Sequence, residues 1–247
     1  MDHASVHPVG PPTFREALAR LRAAQKPRAR TPLYLRYVNR RLGGWLAAAG
    51  LARGATPDQL TAVSAALSLV GIAGLVAFAP SWPLGAAVAV LLLAGYAFDS
   101  ADGQLARLRG GGSPAGEWLD HVVDAARTCL LHAGVAVGLY RFAPQLPRAV
   151  LLLPLLYVTV AVTLSFATML RDQLLRAAPT PVAPAPGGSS LRNAVALAPI
   201  DFGTLALTFG LYGSPVAFAW AYGALASLHV AFLLRLTART HRTLSTL

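Results

Sequence analysis

The chain has 247 residues, of which 55% are hydrophobic and only 13% are charged, and its mean hydropathy is +0.53. This composition excludes an ordinary soluble domain and indicates an integral membrane protein. The formal net charge of +11 would suit nucleic acid binding, but the basic residues flank apolar stretches instead of gathering on one polar face with aromatic residues between them. We therefore expect no nucleic acid partner, and expect a bilayer with anionic headgroups.

Six apolar stretches predict an all-α, polytopic membrane protein, since a helix needs about 20 mostly apolar residues to cross a bilayer. The second stretch is short unless residues 99–107 continue its helix beyond the hydrocarbon. The third begins with polar residues, so two polar helix ends face each other across a short glycine-rich turn. The predicted spans are residues 59–78, 84–98, 119–140, 149–170, 194–212 and 215–234.

The segment ahead of the first span, residues 34–55, mixes Leu, Tyr and Trp with four arginines. This pattern predicts an amphipathic helix lying in the headgroup plane; an ordinary cytosolic helix is the alternative. Residues 1–55 would then form a cytoplasmic N-terminal segment, residues 56–238 a six-helix membrane domain, and residues 239–247 a cytoplasmic tail. Within the domain, the content of Pro, Gly and Ser in residues 177–190 predicts a flexible cytoplasmic loop.

The distribution of basic residues predicts the orientation in the membrane. With six spans, 18 of the 21 Lys and Arg residues fall on one side. Short loops rich in Lys and Arg stay in the cytoplasm. We therefore expect both termini and the acidic residues described next to be cytoplasmic, and in a prokaryote the membrane would be the cell membrane.

Half of the ten acidic residues lie within 26 residues, where the second predicted span meets the third. Asp99 and Asp102 are three positions apart and Asp120 and Asp124 are four apart, so each pair shares one face of a helix. Four carboxylates at the lipid boundary would repel one another unless cations lay between them. Oxygen ligands favour hard divalent ions, and two ions of Mg²⁺ or Mn²⁺ would suit phosphoryl transfer, with a fourth carboxylate free to act as a base.

The residues between the acidic pairs fit a phosphate-containing ligand. Gly103 and Ala106 leave one face of their helix bare, so that a bulky ligand can approach the backbone, and Arg107 can pair with a phosphate. A different class of function, a divalent-cation transporter, is the alternative. It would spread its acidic residues across the depth of the membrane, whereas these lie together at one edge.

The stretch from Asp99 to Asp124 spells D-x2-D-G-x2-A-R-x8-G-x3-D-x3-D. It resembles the signature of the CDP-alcohol phosphotransferases (CDP-alcohol phosphatidyltransferases), integral membrane enzymes of phospholipid synthesis. The upstream TPDQLT, residues 56–61, is similar to the T-P-[ND]-x-x-T element at the start of the family's first membrane helix. The resemblance implies transfer of a substituted phosphate from a CDP-alcohol to a hydroxyl acceptor with release of CMP, and it implies a homodimer.

The resemblance also implies a role for each matching residue. The positions of the family's metal ligands are occupied by Asp99, Asp102, Asp120 and Asp124, and Asp124 also matches the general base. The positions that match the nucleotide site are those of Asp58, Gln59, Leu60, Thr61, Gly103, Ala106, Arg107 and Ser113.

The expected donor is CDP-diacylglycerol, because the motif opens at the membrane boundary, where a lipid-linked nucleotide could enter between helices. The alternative is CDP-choline or CDP-ethanolamine with a lipid alcohol as acceptor. Ala125 stands where members that use inositol phosphate often carry Arg, which disfavours that acceptor. His121 is similar to the choline and ethanolamine version of the motif. Residues that could contact the acceptor are His121, Arg127, Arg171, Arg192 and Asp201.

Each of these five residues also has a structural interpretation. Arg127 would compensate the charge of Asp124, three positions earlier. Asp201, inside the fifth predicted span, would pair with Arg127 or Arg192, because an unpaired carboxylate is costly there. Arg171 and Arg192 would anchor helix ends at the cytoplasmic surface. His121 would form a hydrogen bond near the headgroups.

Overall fold

The computed structural model describes residues 13–23, 31–178 and 190–245, so most of the predicted loop 177–190 lies outside the described residues. Within these ranges the chain forms helices and no strand, which confirms the predicted all-α class. Single π- or 3-10-helical turns precede α2 and α6 and flank α8 (Leu35–Asn39, Arg148–Leu151, Ala198–Ile200, Phe209–Leu211). The helices are α1 (Phe14–Ala23), α2 (Arg40–Ala52), α3 (Pro57–Ala77), α4 (Trp82–Leu108), α5 (Pro114–Phe142), α6 (Leu152–Ala177), α7 (Leu191–Ala196), α8 (Phe202–Thr208) and α9 (Pro215–Leu244).

Among the described residues, five helices are long and apolar enough to cross a membrane. They are α3, α4, α5, α6 with the turn before it, and α9. The prediction that residues 99–107 continue the second helix is confirmed, because α4 runs without a break to Leu108. These lengths and compositions are those of an integral membrane protein.

The fifth predicted span, residues 194–212, is not one continuous helix. α7 ends at Ala196, a 3-10 turn containing Pro199 follows, and Asp201 has an extended backbone (φ −80°, ψ 126°) and caps α8. The apolar helical stretch that remains is Phe202–Leu211. It is about 15 Å long at 1.5 Å per residue, half the thickness of a bilayer's hydrocarbon core. The break arises because Pro199 lacks an N–H and the Asp201 carboxylate satisfies a backbone N–H at a new helix start. A sixth span stays a prediction.

The predicted amphipathic segment contains a π-helical turn and α2. One side of α2 consists of buried small residues (Gly43, Gly44, Ala47, Ala48), and it packs against α4. Trp45 is 54% exposed. The side chain of Gln104 on α4 donates to the carbonyl of Arg40 at 3.2 Å, which ties the start of α2 to α4. The segment thus forms a helix with two different faces, and its location in the headgroup plane stays a prediction.

Close packing of α3 against α4 fixes the helix that carries the first two aspartates. A Cβ atom on Gly95 would lie 2.7 Å from Oγ of Ser68 and 3.0 Å from the carbonyl oxygen of Ser64. Only glycine allows this approach, so the small residue sets the distance between the two helices. α5 packs on the other side of α3, and α6 packs against α5 and α9. Fully buried rings fill the space between the later helices (Tyr157, Phe209, Tyr212, Phe218, Tyr222).

The turn between α4 and α5 places their acidic residues side by side. Gly110 and Gly111 adopt positive φ angles of 97° and 134°, which favour glycine. Ser113 then caps α5 by accepting a hydrogen bond from the Gly116 N–H at 3.0 Å. Asp99 and Asp124 lie about 15 Å from the turn along their helices at 1.5 Å per residue. The hairpin therefore brings the two carboxylates to the same depth.

Candidate active site

Three carboxylates of α4 and α5, two helices that both pack against α3, lie close together. Side-chain oxygens of Asp99, Asp120 and Asp124 all lie within 4.8 Å of one another, and the three residues are half-buried. Such a cluster of like charges is unfavourable without a cation. Because the donors are all carboxylate oxygens, the residues fit a hard divalent ion such as Mg²⁺ or Mn²⁺. Three of the four predicted metal ligands are thus brought together.

The fourth predicted ligand, Asp102, is oriented by α3. Asp102 is 5% exposed, and its Oδ2 accepts a hydrogen bond of 2.6 Å from the hydroxyl of Thr61. Its Oδ1 accepts a hydrogen bond from the backbone N–H of Gly103. Thr61, which the sequence assigned to the nucleotide site, therefore contacts an acidic residue and fixes its side chain.

Arg127 bridges the acidic residues of the two helices. Nη1 lies 3.4 Å from Oδ1 of Asp99, and Nη2 lies 2.5 Å from Oδ1 of Asp124. Nη1 also lies 3.5 Å from the hydroxyl of Ser64. The side chain is buried, with 7% of the residue exposed, and its Cζ lies 4.6 Å from the ring centroid of Phe202. The pairing with Asp124 confirms the interpretation, made from the sequence, that Arg127 compensates the charge of Asp124.

The start of α3 faces the start of α5. Thr56 and Gln59 form a capping box: the Thr56 hydroxyl accepts from the Gln59 N–H at 3.2 Å, and the Gln59 amide oxygen accepts from the Thr56 N–H at 3.0 Å. Asp58 is exposed, and a Cβ on Gly116 would lie 3.6 Å from its Oδ1. Leu60 is buried and packs against Leu105. Four residues of this element are predicted to contact the nucleotide. Among them, Asp58 thus offers an accessible carboxylate.

The face of α4 that was predicted to be bare carries Gly103 and Ala106 beside the side chain of Arg107, and its access to a ligand stays a prediction. Among the described residues, and apart from the backbone of its own helix, the atom that a Cβ on Gly103 would meet is Nη1 of Arg107, at 3.6 Å. Ala106 is half-buried, and the Nε of Arg107 is buried with no hydrogen-bond partner in the described part of the chain. Ser113 lies at the cap of α5, after the turn. Arg109 ties the turn to the loop before α3, because its Nη2 donates to the carbonyl of Ala55 at 2.6 Å.

Asp201 has a structural environment that differs from the prediction. It is 2% exposed. Its Oδ2 accepts from the Leu35 N–H at 2.8 Å, and its Oδ1 accepts from the Gly203 N–H at 3.0 Å and from the Tyr96 hydroxyl at 3.4 Å. Among the described residues it forms no ion pair with Arg127 or Arg192, which corrects that expectation. Backbone amides satisfy the carboxylate because Asp201 stands at a helix start.

The pKa of Tyr34, which precedes the π-helical turn, is shifted in the same region. Burial, and then the negative charge of Asp201, raise the pKa of Tyr34. The phenol therefore stays neutral beside the carboxylate. Asp201 thus connects the segment before α2 with the start of α8.

The other predicted acceptor residues lie on three different helices. His121 is exposed on α5, next to Asp120. Arg171 on α6 binds its neighbour, with Nε and Nη2 at 2.9 Å and 2.6 Å from Oδ1 of Asp172. Arg192 is exposed on α7.

Sequence reasoning missed two contacts at the site. Ser64 contacts Arg127, and one signal was available: Thr61, Ser64 and Ser68 recur at helical spacing along an apolar helix, which marks a face turned toward other protein groups. Phe202 had no such signal. An aromatic residue in an apolar segment does not reveal which cation lies over its ring.

Two successive membrane helices hold clustered carboxylates, with arginines and a helix face of small residues beside them. These groups could hold a divalent ion and a phosphate-containing ligand. The family model for CDP-alcohol phosphatidyltransferase matches residues 55–236. The chain belongs to this family and is a CDP-alcohol phosphotransferase, as its motif predicted.

Solved structures with similar folds include three of the phosphatidylinositol phosphate synthase of Mycobacterium tuberculosis, each 20% identical to this chain. The form with CDP-DAG bound has a TM-score of 0.56, with 82% of this chain and 93% of that chain covered. The form with manganese and citrate has a TM-score of 0.55, and the match covers 79% of this chain and 87% of that chain. The apo form has a TM-score of 0.53, and the match covers 78% of this chain and 93% of that chain. At this identity the similarity shows the fold. The comparison with curated protein sequences gave no match.

Proposed function

We propose that this enzyme transfers a phosphatidyl group from CDP-diacylglycerol to a hydroxyl acceptor and releases CMP. The observation that carries the proposal is the group formed by Asp99, Asp120 and Asp124 within the family's motif. A lipid-linked donor is supported by the synthase of similar fold that was crystallised with CDP-DAG. A donor such as CDP-choline or CDP-ethanolamine, acting on a lipid alcohol, is the second candidate because His121 follows Asp120.

We propose that the four aspartates of the motif hold two divalent ions, Mg²⁺ or Mn²⁺. The related synthase was crystallised with manganese, which supports this choice of ions. When bound, the ions would stabilise negative charge on the diphosphate and on the departing CMP. The chain's own contribution is orientation: Thr61 holds Asp102, and Arg127 holds Asp99 and Asp124.

Asp124 is the proposed general base. Arg127 binds Oδ1, so we assign the proton-accepting role to Oδ2. The acceptor hydroxyl gives its proton to this oxygen, its oxygen forms a bond to the phosphorus that carries the diacylglycerol, and the bond from that phosphorus to the CMP oxygen breaks. Proton transfer to a positioned carboxylate is general base catalysis.

The nucleotide would lie along the bare face of α4. Gly103 and Ala106 admit the diphosphate to the backbone, and Arg107 supplies a positive charge beside it. Asp58 and its neighbours up to Thr61 at the start of α3, together with Ser113 at the start of α5, would enclose the cytidine. Asp58 supports this arrangement because it is accessible and faces Gly116.

Several further features belong to the proposal. The acidic centre and both termini would face the cytoplasm, α2 would lie in the headgroup plane with Trp45 outward, and two copies would form a homodimer. The acceptor would meet His121 and Arg192, because Arg127, Arg171 and Asp201 already have partners within the chain.

The test is CMP release by the purified full-length protein in lipid–detergent micelles. CDP-diacylglycerol, CDP-choline and CDP-ethanolamine are each supplied with a panel of soluble and lipid alcohols, including inositol phosphate, in Mg²⁺, Mn²⁺ or EDTA. We expect CMP from CDP-diacylglycerol only when a divalent ion is present. CMP from the other two donors alone would establish the second candidate. Absence of CMP with every pair would contradict both, and uptake of Mn²⁺ by proteoliposomes would then indicate a transporter.

A further inference from the structure

The C-terminal half of the chain reaches the acidic centre at the start of α8. The ring of Phe202 lies against the guanidinium of Arg127, with 4.6 Å between Cζ and the ring centroid. Tyr96 of α4 contacts the same ring edge-to-face, with 5.2 Å between centroids. The preceding residue, Asp201, is fixed by the backbone N–H groups of Leu35 and Gly203. Three separate parts of the chain thus hold the ring in place.

Arg127 has both polar and aromatic contacts. Its Nη atoms reach Asp99, Asp124 and Ser64, and its Cζ lies over the ring of Phe202. A cation over an aromatic ring is attracted by the ring's quadrupole, and the attraction is stronger where water is excluded. Arg127 is buried, so we expect the contact with Phe202 to limit movement of the guanidinium away from the two carboxylates.

We propose, on the basis of the proposed function, that Phe202 is a positioning residue for the reaction. Its ring holds Arg127, and Arg127 holds Asp99 and Asp124 by one oxygen each. This would leave the second oxygen of Asp99 for a metal ion and Oδ2 of Asp124 for the proton of the acceptor hydroxyl. Groups that orient metal ligands from outside the coordination sphere usually change metal affinity or activity 10- to 100-fold when removed. The start of α8, which carries no sequence motif, thereby contributes to the catalytic centre.

The first measurement is the affinity of the full-length protein for Mn²⁺ in the absence of substrate. Binding is detected by the electron paramagnetic resonance signal of the free ion. The variants are Phe202→Leu, Phe202→Tyr, Arg127→Lys and the control Phe209→Leu. None changes the net charge, so any change in affinity reports geometry. We expect Arg127→Lys to weaken Mn²⁺ binding about tenfold, since lysine lacks the fork that meets two carboxylates, and Phe202→Leu to weaken it severalfold. Phe202→Tyr keeps the ring and should bind as the wild type does.

Phe209 is the matched control, because it is a buried phenylalanine of the turn after α8 that packs on Tyr212 and Phe218. Its replacement should leave Mn²⁺ affinity unchanged. The proposal is overturned if Phe202→Leu binds Mn²⁺ like the wild type, if Phe209→Leu loses as much affinity, or if the wild type binds no Mn²⁺. Size-exclusion profiles of all variants identify protein that has failed to fold.

The second measurement is turnover. Phe202→Leu should lower kcat for CMP release while KM for the CDP-alcohol stays unchanged, and Phe202→Tyr should restore kcat. A rise in KM with unchanged kcat would show a substrate contact and overturn the positioning role. Because the Mn²⁺ measurement needs no substrate, it tests Phe202 even if the wild type releases no CMP, which would contradict the proposed function alone.

Discussion

The helices α3 to α5 and the helices α6 to α9 differ in what lies at their contacts. In the first group, small and polar residues allow backbones to approach and carboxylates to meet, as at Gly95 with Ser68 and at Asp102 with Thr61. In the second group, buried rings fill the interior, as Tyr157, Phe218 and Tyr222 do. The first group holds the residues proposed to carry out the chemistry, and the second supplies bulk that supports them.

This difference explains why one half of the chain has a recognisable pattern and the other does not. Carboxylates on two helices joined by a short turn meet only at fixed spacings, so the chemistry leaves a regular signature. Many combinations of large residues can fill an aromatic core, so aromatic packing leaves no regular signature in the sequence. Four predictions test how far the two groups of helices depend on each other.

The largest effect is expected for Asp124→Asn, which removes the proposed base from the first group while keeping its shape. Loss of a general base lowers kcat by about 10²- to 10⁴-fold. The measurement is the rate of CMP release at saturating substrate. Asp172→Asn, an exposed carboxylate bonded to Arg171, is the control and should keep full activity. Comparable loss in both variants, or activity retained in Asp124→Asn, would contradict the assignment.

The next effect is expected in the second group, for Asp201→Ala. The change removes the acceptor of two backbone N–H groups, those of Leu35 and of Gly203, and the second of these bonds is the cap of α8. It should lower the free energy of unfolding by about 2 kcal/mol. Thermal unfolding in detergent measures it. Asp201→Asn keeps one acceptor oxygen and should lose less, and Asp172→Ala should change nothing. If Asp201→Ala melts at the same temperature as the wild type, the hydrogen bonds from the Leu35 and Gly203 N–H groups to this carboxylate do not contribute to stability.

The acidic centre followed from the sequence, while the path of residues 194–212 did not. Asp99, Asp120 and Asp124 meet because helical periodicity and a short turn leave little freedom, so spacing alone predicts their proximity. Residues 194–212 are as apolar as a span, and only the combination of Pro199 with a buried Asp201 marks the break. That combination depends on Leu35, some 166 residues earlier in the chain, and such a partner is invisible to a local pattern. The contact of Phe202 with Arg127 was unpredictable for the same reason.

A smaller effect is expected for Thr61→Val, which tests whether α3 contributes to the acidic centre. Valine has nearly the shape of threonine but cannot donate to Asp102. Since Asp102 is a proposed metal ligand, removing the group that orients it should lower kcat about tenfold, at the weaker end of the usual range. Thr159→Val is the control, because Thr159 is exposed and its hydroxyl donates to the carbonyl of Leu155 in its own helix. Equal rates for Thr61→Val and the wild type would show that Asp102 keeps its orientation without this hydroxyl.

The smallest effect is expected for Arg171→Gln, at the end of α6 in the second group. Arg171 binds Asp172 at a site where both side chains are partly exposed, 25% and 50%, and such pairs contribute less than about 1 kcal/mol. The melting temperature and KM for the acceptor should therefore stay close to the wild-type values. Arg192→Gln provides the contrast, because Arg192 is one of the two residues proposed to meet the acceptor, and KM should rise. An increase in KM for Arg171→Gln alone would instead place the acceptor at the end of α6, away from Arg192 on α7.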